Sequence, residues 1–139
     1  MDRRQFLQTT AAAAVVAAGP VAGAPLAHGA TPTVTLVVQT DLPAAALLAR
    51  GVGEALARAG LAARPAGADG RALAQVQRIA ELLDRARGTR LVGVMDDASA
   101  VVFQAVAATR GAACLAHRQH RIAGASAASF LIQPEETRP

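Results

Sequence analysis

The chain has 139 residues, a formal net charge of +4 and 53% hydrophobic residues, of which few are aromatic. All 14 basic residues are arginine, scattered rather than grouped, and neither Trp nor Tyr is present to stack on bases, so no nucleic-acid-binding face is expected. Arginine without lysine, beside abundant alanine, fits a GC-rich coding bias and needs no anionic partner. The single cysteine, Cys114, excludes an internal disulfide. It lies in Ala113-Cys114-Leu115-Ala116 and is expected as a small buried hydrophobe.

The N-terminus reads Met1-Asp2-Arg3-Arg4-Gln5-Phe6-Leu7-Gln8, followed by an Ala-rich apolar run from Ala11 to Leu26 that Gly19-Pro20 interrupts. A charged segment followed by an apolar one is the order of a cleavable export signal. With Pro20 and Pro25 inside it and little Leu, Ile or Phe, the run is a poor candidate for the roughly 20-residue helix that spans a bilayer. The adjacent arginines, the spacer and the Phe-Leu pair resemble the twin-arginine (Tat) signal, with Arg3, Arg4, Phe6 and Leu7 carrying the likeness. That resemblance implies recognition by the Tat translocation machinery, delivery to the periplasm, and passage of an already folded protein, often one loaded with a cofactor. Cleavage is expected after Gly29, because the alternative after Ala24 leaves Pro25 at the new terminus. Retention as an uncleaved anchor is the other outcome. Removal of residues 1–29 leaves 110 residues with a charge of +3, enough for one α/β domain over residues 30–133 and a polar tail at 134–139.

The first predicted element is the β-branched run Thr33-Val34-Thr35-Leu36-Val37-Val38-Gln39, a strand with Val34, Leu36 and Val38 on one face. Asp41 is expected to N-cap a helix that starts with Pro43 and runs to about Ala59. Leu48, Val52 and Leu56 recur at four-residue spacing, and Gly60 stops the helix. Residues 61–65 make at best a short strand, which Pro65 confines to an edge or an end. Residues 66–70 form a turn-rich loop, and a second helix is expected over 71–87, closed by Gly88. Residues 90–95 are apolar on both faces, as in the middle of a parallel sheet. Asp97 should cap a third helix over 98–110, closed by Gly111. Strands follow at 112–117 and 129–133, with no room for a helix between them, so the last is expected to pair antiparallel at an edge. This order predicts a small three-layer α/β domain with a mainly parallel sheet of four to five strands and about three helices.

Parallel sheets bind ligands at the carboxyl ends of their strands. The topology brings three polar groups there: Gln39-Thr40-Asp41, Asp96-Asp97-Ala98-Ser99, and His117-Arg118-Gln119-His120. If Asp97 holds the cap, Asp96 is free for function. Cys114, His117 and His120 include soft ligands suited to zinc or copper, but a plain strand would turn Cys114 and His117 to opposite faces. The metal candidates are therefore His117 and His120 in a loop, with Asp96; the sequence itself names no cofactor. Gly51-Val52-Gly53-Glu54 lacks the third glycine of a nucleotide loop, since Leu56 stands there, and falls inside the first helix. Ser99, Ser126 and Ser129 lack the context of a nucleophile elbow.

The stretch from Leu91 through Asp96-Asp97 to Gly111, a strand ending in acidic residues before a helix that closes on glycine, is similar to one βα unit of periplasmic sugar-binding proteins. The likeness implies at most a single-lobe relative, since those proteins have two lobes and about twice this length. The expected function is a small exported binding or accessory protein, with partnership to a larger exported redox enzyme as a variant of that reading. Its pocket would be lined by Asp41, Asp96, Asp97, His117, Arg118 and His120. The alternatives are a metal-dependent or acid–base hydrolase using Asp96 with His117 or His120, and a purely structural subunit.

Overall fold

The computed structural model describes residues 31–134. The signal residues Arg3, Arg4, Phe6 and Leu7, the expected cleavage point and the tail beyond Pro134 lie outside the described residues. The elements in chain order are β1 (Thr33–Gln39), α1 (Pro43–Arg58), β2 (Ala62–Ala68), α2 (Gly70–Leu73), α3 (Val76–Arg85), β3 (Arg90–Met95), α4 (Asp97–Thr109), β4 (Ala113–Ile122) and β5 (Ala125–Gln133).

The five strands form one sheet in the order β2-β1-β3-β5-β4. β1 pairs in parallel with β2 and β3, whereas β5 runs antiparallel to both β3 and β4. The sheet is therefore mixed rather than mainly parallel. The cause is local. A parallel return needs a crossover of a dozen or more residues, and between β4 and β5 there are only Ala123 and Gly124, at φ of 51° and 81°. Positive φ at both central residues is the geometry of a tight hairpin turn. The hairpin also places β5 inside the sheet and leaves β4, not the final strand, at the edge.

At the other edge, the Ala62 amide donates to the Pro32 carbonyl and the Ala68 carbonyl accepts from Thr40. The even-numbered residues of β2 thus face β1, and Pro65 lies on the outer side, where its missing N–H leaves no ladder bond unmade.

Alternation along the strands divides the core into two layers. Val34, Leu36, Val92, Val94 and Leu131 pack under α1 through Leu48, Val52 and Leu56. Val37, Leu91, Met95, Phe130 and Ile132 pack on the other face against Leu73, Ile79, Phe103 and Val106. One helix therefore covers one face and three cover the other, four among the described residues where the sequence suggested three. The additional helix arises where the expected second helix breaks. Asp69 Oδ1 accepts from the Ala72 amide at 2.7 Å and starts α2. The next bonds run from Ala74 to Arg71 and from Gln75 to Ala72, tightening the turn, and Gln75 becomes extended as the N-cap of α3. α1, α3 and α4 stop at Gly60, Gly88 and Gly111 as the sequence indicates, each at positive φ.

Candidate functional site

The carboxyl ends of β1 and β3 do bring Asp41 and Asp96 to one place, and the residue that joins them is Gln39. It is the last residue of β1 and is buried at 5% exposure. Its Nε2 donates to Asp41 Oδ1 at 3.0 Å, and its Oε1 accepts from the Asp96 amide at 2.9 Å. The same Asp41 oxygen accepts from the Gly70 amide at 2.9 Å. Asp41 is thus not the cap of α1; Leu42 holds that position without a side-chain bond, and Pro43 opens the helix. Asp41 instead ties the β1–α1 turn to the start of α2. The Gln39 and Gly70 donors stabilise its charged form and lower its pKa.

The expected roles of the aspartate pair are exchanged. Asp96, not Asp97, caps α4, its Oδ1 accepting from the Ser99 amide at 2.7 Å. Asp97 sits in the first turn, where a negative charge suits the helix dipole, and its Oδ2 accepts from Ser126 Oγ at 2.5 Å. Its Oδ1 is buried with no hydrogen-bond partner among the described residues. Sequence reasoning placed Gln39 in this group but missed its role. The available signal was a lone polar residue ending an otherwise apolar strand.

His117, Arg118 and His120 are not in a loop; they lie within β4. Across the hairpin His117 pairs with Phe130 and His120 with Ala127, so the two histidines point to opposite faces and do not converge. His117 Nδ1 accepts from Gln104 Nε2 at 2.8 Å on the α4 side. His120 Nε2 lies 2.8 Å from Ser129 Oγ on the α1 side. Burial, and then the charges of Arg118 and His117, lower the His120 pKa. Ser129 has no exposure at all, so this serine–histidine pair satisfies two buried polar groups rather than presenting a nucleophile. Arg118 is exposed on the edge strand.

Cys114 lies on the edge strand and is exposed, not buried as expected. A register irregularity between Cys114 and Ala116 sets Cys114 opposite Ile132 while His117 stays opposite Phe130. The bulge therefore puts Cys114 and His117 on the same face, the reverse of plain alternation. Even so, no group of three or more His, Cys, Asp or Glu able to hold a metal occurs among the described residues. Nor does Asp96, engaged at the α4 cap, hydrogen-bond to either histidine.

A cleft lies at the opposite end of β3, about 20 Å from Asp96 at 3.3 Å per strand residue. It encloses about 410 Å³ between the carboxyl ends of α3 and α4 and the beginnings of β3 and β4. Leu83, Ala86, Leu91, Ala112 and Ile132 give it apolar walls. Asp84, Arg87, Thr89 and Arg110 supply its polar groups. Asp84 Oδ1 is shared by two guanidinium groups, Arg110 in close contact and Arg87 at 3.6 Å. The Thr89 hydroxyl donates to the Ala86 carbonyl at 2.8 Å and accepts from Thr35 at 2.9 Å, which fixes the turn between α3 and β3. A second groove of about 280 Å³ runs between β2 and α3, where Arg71, Arg78 and Arg85 stand among Asp69 and Glu81.

Residues 1–20 match the family described as the TAT (twin-arginine translocation) pathway signal sequence. The chain therefore carries a Tat signal, which directs export through the Tat machinery. No curated protein and no solved structure matches the chain. Among the described residues no helix is long and apolar enough to cross a membrane.

Proposed function

We propose that this is a periplasmic binding module, released by cleavage after Gly29, whose ligand occupies the cleft between the ends of α3 and α4. The observation that carries this reading is the cleft itself. At about 410 Å³ it has the size of a small-molecule site, with apolar walls and a few polar groups grouped on one side. The strand-end group expected to bind is a weaker candidate. Asp41 and Asp96 are engaged in holding β1, α2 and α4 together, and His117 and His120 face apart. Only the Oδ1 of Asp97, without a hydrogen-bond partner among the described residues, favours a contact there. Acid–base hydrolysis has no comparable support, since it needs a carboxylate and an imidazole around one exposed space. A role beside a larger exported enzyme is compatible with the cleft, which would then hold a group that the partner uses.

The test is a titration of the exported protein with small apolar-bodied compounds, followed by amide chemical shifts. Movement concentrated at Leu83, Leu91, Ala112 and Ile132, and abolished by Ala112→Trp, supports the reading. Movement concentrated at Asp97 and Ser126 transfers the site to the other end of the sheet.

A further inference from the structure

Resting on the reading of this cleft as the ligand site, we infer that its ligand is an amphipathic anion: an aliphatic or aromatic body carrying one carboxylate-like group. The body follows from the walls. Leu83, Ala86, Leu91, Ala112 and Ile132 surround the space, and Pro134 adds a further apolar wall. Removing an apolar surface from water against these walls is favourable.

The charge follows from the rim. Two guanidinium groups, Arg87 and Arg110, meet one carboxylate, and both contact the same oxygen, Asp84 Oδ1. The carboxyl ends of α3 and α4 bring partial negative charge to this end of the sheet, which suits arginines in those turns. Asp84 cannot satisfy the donors of both arginines, since each guanidinium carries five N–H groups in a fixed fork. Arg87 keeps 78% of its side chain exposed, free to turn toward a ligand at the mouth. A second carboxylate seated between the two arginines would complete an alternating array of two cations and two anions. A cationic head would meet the two guanidinium groups of Arg87 and Arg110, with Asp84 and the partial charges of the helix ends to receive it, and a neutral head would leave guanidinium N–H donors facing water.

The experiment compares octanoate, octan-1-ol and octylammonium as probes by calorimetric titration of the exported protein at low ionic strength. Octanoate is expected to bind about tenfold more tightly than octanol, the gain of a charge-assisted hydrogen bond at a partly exposed rim. Octylammonium should bind least. The octanoate preference should shrink in Arg87→Gln, return in part in Arg87→Lys, and fall with added salt. The exposure of Arg87 keeps these variants folded. If octanoate and octanol bind equally, the cleft is an apolar site and the anion assignment is overturned. If octylammonium binds best, Asp84 sets the specificity and the assignment is reversed. If none of the three binds while the shifts map elsewhere, the reading of the cleft fails and the anion with it.

Discussion

Gly93 and Phe130 face each other across β3 and β5, and the phenyl ring fills the space where a Gly93 side chain would stand. A Cβ at position 93 would collide with Phe130 Cζ. Phe130 in turn packs against Phe103 of α4, with ring centroids 5.5 Å apart and planes tilted by 46°, so the glycine lets the sheet and that helix meet through two aromatic rings. Gly93→Ala is expected to destabilise the protein by about 1–3 kcal/mol through overpacking. Gly93→Val should cost more. Urea midpoints measure both, and Phe130→Leu in the Gly93→Ala background should recover part of the loss. An unchanged midpoint for Gly93→Ala would mean that the ring does not lie there.

Gln39→Leu removes the acceptor of the Asp96 amide and one donor to Asp41 together. Leaving this part-buried backbone amide without a partner costs about 1 kcal/mol, the low end of the range for a fully buried group. Hydrogen exchange should quicken first at Asp96 and Gly70, before the centre of β3. Uniform acceleration across the sheet would show that Gln39 has no special place in joining the two turns.

Stability should decline as pH falls below the ordinary histidine value of 6.5, because the pKa of His120 is lowered by burial. The unfolded chain then takes up a proton that the folded chain resists, so stability is fully present above 6.5 and is lost toward the folded pKa. Asp41, also lowered, adds a second decline in the carboxylate range by the same sign. In His120→Gln the decline just below 6.5 should flatten while the lower one remains. Persistence of both in that variant would assign the upper step to another group.

The Cys114 thiol is exposed on the edge strand, yet partial burial raises its pKa above the ordinary value of 9.0. It donates to the Ala116 carbonyl at 3.4 Å. Reaction with iodoacetamide at neutral pH should be complete but slower than that of a free cysteine, because the thiolate is the nucleophile. Reaction faster than free cysteine would reveal an activated thiol.

The helices and the central strands were legible because their signals are local. Leu48, Val52 and Leu56 repeat at the period of a helix, residues 90–95 are apolar on both faces, and the glycines end helices wherever φ must be positive. The antiparallel pairing of the last strand was legible from the short gap before it, but the full length of β4 was not, because residues 118–121 are polar and read as loop. They form a strand because β4 lies at the edge, where one polar strand can pair with the apolar β5 and face water on its other side. That single reassignment removed His117, Arg118 and His120 from the expected pocket. The aspartates were placed correctly in space and wrongly in duty, since sequence alone does not decide which of two adjacent carboxylates takes a cap. The cleft between α3 and α4 was missed because its walls, Leu83, Leu91, Ala112 and Ile132, are ordinary core residues until the gap between them is seen.

The measurement that bears most directly on the account is a native mass spectrum of the protein recovered from the periplasm, taken beside Ala112→Trp. The account predicts a small organic adduct on the natural protein, absent from the variant in which the indole fills the cleft. Identical spectra from the two proteins would contradict it.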